Sequence, residues 1–164
     1  MPHPIVVFVS RHALALTALF SWAVLAVSLG LQWGLDLVPC PMCIVQRYCL
    51  IALALTASLA WILRRPFPAY IALVAAGLGA FTAGRQSLLQ WNPPEFASCG
   101  RDFYGMVEAF PLSKLIPAIF AGSGDCASST DSVLGITFAN ASFVFFVMAI
   151  VALVRYIQIR RIAL

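Results

Sequence analysis

Four long runs without a charged residue decide what this chain can fold into. Residues 13–31, 67–84 and 133–154 are uncharged over 19, 18 and 22 positions, and residues 48–63 over 16. A helix needs about 20 mostly apolar residues, at about 1.5 Å each, to cross the roughly 30 Å hydrocarbon core of a bilayer. The run at 48–63 reaches only about 24 Å by the same rise. It spans if its helix begins near Cys43, which sets Arg47 at the membrane boundary. Hydrophobic residues make up 62% of the chain and charged residues 10%, with a mean hydropathy of +0.96. A soluble fold carries about 25% charge, so the solvent expected around most of this chain is lipid.

The expectation is a single membrane domain over residues 1–164, an all-α integral membrane four-helix bundle. Its spans fall at about 13–31, 44–63, 67–86 and 133–154, with outer loops at about 32–43 and 87–132. The first run exceeds the usual signal-peptide core of about 7–15 residues. No A-x-A site follows it, so it reads as a retained anchor.

Charge gives the orientation. Arg11, Arg64, Arg65, Arg155, Arg160 and Arg161 lie on one side with no acid among them. All six acids, Asp36, Glu95, Asp102, Glu108, Asp125 and Asp131, lie on the other. By the positive-inside rule both termini and the Arg64–Arg65 turn are cytoplasmic. The net charge of +4 then reflects topology, and ten Lys and Arg spread over membrane flanks offer no basic face for nucleic acid.

Four of the five cysteines fall in the outer loops: Cys40 and Cys43 in the first, Cys99 and Cys126 in the second. In bacteria that compartment is oxidising. Cys49, inside the second span, reads as a small apolar core residue. Cys40-Pro41-Met42-Cys43 is a CxxC at a helix mouth, where unpaired N–H groups and the helix dipole favour a thiolate and so speed exchange. Pro41 suits a first helical position because no donor is needed there. A purely structural bridge would close too small a loop to restrain the unfolded chain. Zinc is disfavoured, because Cys99 and Cys126 are too widely spaced for a short-spaced pair and both histidines, His3 and His12, fall on the cytoplasmic side.

Arg47 shares a helix face with Cys43, four positions earlier. It can support a thiolate or an anionic reduced ligand, or it can snorkel to headgroups; spacing does not choose between them. Arg85 and Gln86 are expected to end helix three on the same side, so the mouths of helices two and three form a plausible pocket for a polar head. In the long second loop, residues 110–120 place Leu112, Leu115, Ile116, Ile119 and Phe120 on one stripe. That pattern predicts a short amphipathic helix on the membrane surface. The turn-rich flanks at 92–94 and 122–124 would let Cys99 and Cys126 meet a large partner.

These residues together resemble the DsbB family of bacterial disulfide-bond formation proteins. The likeness rests on Cys40, Cys43 and Arg47, on Leu89-Gln90, Pro93 and Phe96-Ala97 before Cys99, and on Ser123-Gly124-Asp125-Cys126. The segment 127–133 departs from the family in lacking an aromatic residue. The resemblance implies a protein-thiol:quinone oxidoreductase of the bacterial inner membrane. Such proteins reoxidise DsbA, a soluble periplasmic thiol oxidase, and deliver its electrons to ubiquinone or menaquinone. It further implies that Cys99 receives the attack of DsbA and that Cys126 resolves the mixed disulfide and exchanges with Cys40. Cys43 then meets the quinone, with Arg47 supporting the charge and Gln86 in the quinone pocket. A DsbA-type oxidase, at about −120 mV, needs a still more oxidising acceptor, and a bilayer quinone is one. Two other readings compete: a non-catalytic scaffold stapled by disulfides, and a quinone reductase resembling vitamin K epoxide reductase, which carries its CxxC near a later helix.

Overall fold

The computed structural model describes residues 4–34, 36, 39–91, 132–133 and 136–162. Four helices account for nearly all of them: α1 (Pro4–Gly34), α2 (Pro41–Leu63), α3 (Phe67–Trp91) and α4 (Phe138–Ile162). Each contains a segment long and apolar enough to cross a membrane: His12–Gly34, Pro41–Leu63, Phe67–Trp91 and Phe138–Arg161. The all-α, four-span architecture read from hydropathy is the observed one. The expected surface helix at 110–120 lies outside the described residues, as do Cys99 and Cys126.

Helix limits differ from the uncharged runs for local reasons. α2 starts at Pro41, with Cys40 as its N-cap in extended geometry and Pro41 in the first turn. Its 23 residues give about 34 Å, enough to span with Arg47 inside the helix. α3 continues past Arg85 and Gln86 to Trp91, so these two residues are not its end. α4 starts at Phe138, later than the uncharged run. Ser132–Val133 pairs antiparallel with Ile136–Thr137 before it, and the Thr137 hydroxyl accepts the Asn140 N–H at 3.3 Å, a side-chain cap of the kind that starts helices.

Packing explains the order of the bundle. α2 and α3 are in contact and bury Ala54, Ala57 and Ala60 on the one and Ala69, Ala72, Ala76 and Ala83 on the other. Small residues let membrane helices approach closely, which matters where lipid supplies no hydrophobic drive. Gly79 extends that closeness to α4, because a Cβ there would collide with the Phe146 ring. On α1 the buried positions Leu14, Ala18, Ser21 and Leu25 recur at three- and four-residue steps, one stripe facing the bundle. Outward faces carry Leu19, Val74, Leu78, Phe81 and Met148, as lipid contact requires. Hydroxyls inside the helices bond back to the preceding turn, Ser21 to the Thr17 carbonyl at 2.7 Å and Ser58 to that of Ala54 at 2.7 Å. No polar group is thereby left to face hydrocarbon at these positions.

At the arginine-rich end the connections are tight. Arg64 caps α2 in the left-handed conformation, and its carbonyl accepts a hydrogen bond from Arg160 at the end of α4. Arg161 donates to the Tyr70 hydroxyl at 2.9 Å and lies 5.6 Å from that ring's centre. α4 is thus tied to the α2–α3 turn, which fixes the bundle at one end and leaves the cysteine end to be shaped by side chains.

Candidate functional site at the mouth of the second helix

The CxxC spacing is the spacing of a helix cap. Cys40 occupies the N-cap and Cys43 the third helical position, and the Cys43 N–H points at the Cys40 sulfur, 3.3 Å away. The Cys40 carbonyl accepts the Ile44 N–H at 3.2 Å. A sulfur at this position faces the unpaired donors and the positive end of the helix dipole, which stabilise a thiolate. The two sulfurs lie 3.0 Å apart, near enough for a bond of about 2.05 Å to form by side-chain rotation alone. Cys40 is buried and Cys43 partly exposed.

The pair meets two carboxamides. The Gln86 NH2 group sits 3.4 Å from the Cys43 sulfur and 3.5 Å from that of Cys40. Its oxygen accepts a 2.7 Å hydrogen bond from Gln46 Nε2. Both glutamines are buried, Gln86 to 2% exposure and Gln46 to 7%. Arg47 is buried to 8%. A snorkelling arginine would be exposed, so burial weighs against that reading. Arg47 is the one buried charged residue among those described.

Beside this polar corner lies a cavity of about 370 Å³. Cys40, Cys43, Gln46, Arg47, Gln86 and Gln90 form its polar side. Val24, Val27 and Leu31 of α1 and Phe138, Phe145 and Phe146 of α4 form much of its apolar wall. Sequence spacing pointed to the mouths of α2 and α3 alone. Both helices do line the cavity, and α1 and α4 complete it. Of the two polar residues near the end of α3, Gln86 faces the cysteines, whereas Arg85 is exposed on the outer face and does not line the cavity.

The structure therefore brings Cys40, Cys43, Arg47 and Gln86 together. Gln46 went unremarked in the sequence, although it stands three positions after Cys43 on the same face and is polar in an apolar helix. The α1 and α4 walls carried no signal, since apolar residues that face a cavity look like those that face lipid. Cys49 is buried among Leu50, Leu53 and neighbouring core residues.

Comparison with known proteins fits this geometry. The family model for the disulfide bond formation protein DsbB matches residues 10–155. This chain belongs to the DsbB family. The disulfide bond formation protein B of Polaromonas naphthalenivorans strain CJ2 is 52% identical over 157 residues, covering 93% of each chain. That of Verminephrobacter eiseniae strain EF01-2 is 53% identical over 145 residues, 84% of this chain and 80% of the relative. A third, from Acidovorax sp. strain JS42, is 51% identical over 150 residues, 87% of this chain and 84% of the relative. As a DsbB-family member the chain is a disulfide bond formation protein with four helices able to span a membrane. Membership also weighs against the scaffold reading, since the family is defined by making disulfides.

Proposed function

We propose that this chain reoxidises a DsbA-like periplasmic thiol oxidase and passes the two electrons to membrane quinone, ubiquinone or menaquinone. One observation carries the reading: a cysteine pair forms a wall of an apolar cavity beside the one buried cation among the described residues. The cavity's volume lies within the range of small-molecule sites, which are mostly apolar with a few placed polar groups. A quinone, an apolar ring with two polar oxygens, suits such a lining. Arg47 would donate to one of those oxygens, and the α1 and α4 residues would hold the ring. When bound, a quinone supplies a two-electron acceptor that the protein lacks on its own.

The thiol steps balance within the chain. A reduced partner thiolate attacks Cys99 of a Cys99–Cys126 disulfide, and the electron pair of the broken bond leaves on Cys126. That thiolate attacks Cys40 of a Cys40–Cys43 disulfide, and the released pair resides on Cys43. The second partner thiolate meanwhile attacks the mixed disulfide at its own sulfur, which frees an oxidised partner and a Cys99 thiolate. That thiolate closes onto Cys126, displacing the Cys40 thiolate. The first pair then holds both electrons, on two sulfurs at the helix N-terminus. The chain sits in the bacterial inner membrane in this reading, with both termini and the Arg64–Arg65 turn in the cytoplasm. Arginine distribution supports that orientation.

The test mixes purified protein in detergent with reduced DsbA and a short-chain ubiquinone analogue and follows quinone absorbance. One quinone should be reduced per DsbA disulfide formed, and Cys43→Ser should stop it. A folded preparation that shows no thiol-dependent quinone reduction would sink the proposal.

A further inference from the structure

We infer that Gln46 is a positioning residue for the Cys40–Cys43 pair, holding the Gln86 carboxamide with its N–H groups against both sulfurs. A carboxamide has a donating end and an accepting end, and a half-turn exchanges them. In this structure the donating end of Gln86 lies 3.4 Å and 3.5 Å from the sulfurs. Its oxygen receives the Gln46 N–H at 2.7 Å. Turning Gln86 over alone would press its NH2 on that of Gln46, and would set its oxygen against the sulfurs, where a thiolate has no hydrogen to offer it. Burial of both side chains leaves no bulk water to repair either one. The bond joins α2 to α3.

The consequence falls on a thiolate. When a thiolate attacks Cys40, a new S–S bond forms, the Cys40–Cys43 bond breaks, and the electron pair stays on Cys43. A thiolate accepts hydrogen bonds, and bonds to charged groups are the stronger ones. Gln86 meets it with an N–H in the orientation that its bond from Gln46 favours. Because the same NH2 group spans both sulfurs, it serves whichever one carries the charge. Cys43 as a thiol has a weaker contact, 3.8 Å to the Gln86 oxygen, so the arrangement favours the charged form.

This inference rests on the thiol-transfer reading of the pair, but its test needs neither quinone nor a partner protein. Reduced full-length protein in detergent is alkylated with iodoacetamide at one fixed pH, and the Cys43 adduct is followed by mass spectrometry. Gln46→Leu should slow alkylation roughly ten-fold, the scale of a lost bond to a charged group. Gln46→Glu, which can only accept while ionised, should slow it at least as much by drawing the Gln86 NH2 away. In a Gln86→Leu background, Gln46→Leu should add less than about two-fold, since a residue acting only through Gln86 has nothing left to position. An unchanged rate in folded Gln46→Leu overturns the inference, as does a larger added loss in that background. If Gln46→Leu loses helix content, Gln46→Glu decides by the same criteria. The protein can fail the quinone assay and still show this coupling, so the two failures are distinguishable.

Discussion

The α2–α3 seam and the α1–α4 wall are made from the same apolar alphabet but differ in side-chain size. Alanines such as Ala57, Ala72 and Ala76 are fully buried in α2 and α3, and Gln46 and Gln86 clasp between the two helices. The wall uses Val27, Leu31, Phe145 and exposed Ala23 and Ala141, and it encloses space. One region carries the carboxamide that touches both sulfurs, and the other leaves room beside them. The lesson is a division of labour. The thiols sit where α2 meets α3, whereas the cavity beside them is completed by the larger side chains of α1 and α4.

The largest effect is expected at the junction of the two regions. Arg47→Ala should lower kcat/KM for quinone about a hundred-fold, the scale of a lost hydrogen bond from a charged group at a buried site. Most of the loss should appear in KM, with DsbA binding unchanged in a pull-down. A change below two-fold would detach Arg47 from the acceptor. Next come matched substitutions that break one region at a time. Ala76→Leu should destabilise the bundle by about 1–3 kcal/mol through overpacking, read as a lower Tm. Ala141→Leu should leave Tm nearly unchanged, as exposed positions do, but raise the quinone KM several-fold by filling the cavity. Equal Tm losses would erase the distinction between seam and wall. The smallest effect is at Cys49, where Cys49→Ala should cost about 1 kcal/mol or less and leave turnover intact.

Much of this was legible in the sequence because lipid imposes a blunt rule. Uncharged runs located all four described helices, and the CxxC located the candidate site, since a cap and a first turn need only four residues to specify. What was hidden depended on helix rotation. Arg85 and Gln86 are adjacent, so about 100° separates them on a helix, and only Gln86 faces the cysteines. The charge at Arg85 ended the third run early although the helix continues to Trp91, because an outward arginine does not interrupt helical hydrogen bonding. The start of α4 was hidden by the uncharged Val133, Ile136 and Thr137, which pair as a short ladder instead. Gln46 was overlooked because its partner stands 40 positions away, a separation that no local spacing rule reaches.

Where the acceptor binds is tested most directly by light-activated labelling of the intact protein with a short-chain azidoquinone, followed by peptide mapping. The account predicts label on α1 near Val24 and Val27 and on α4 near Ser142 and Phe145, removed by excess ubiquinone analogue. Label confined to the lipid-facing sides of α2 and α3, at Leu55 or Phe81, would contradict it.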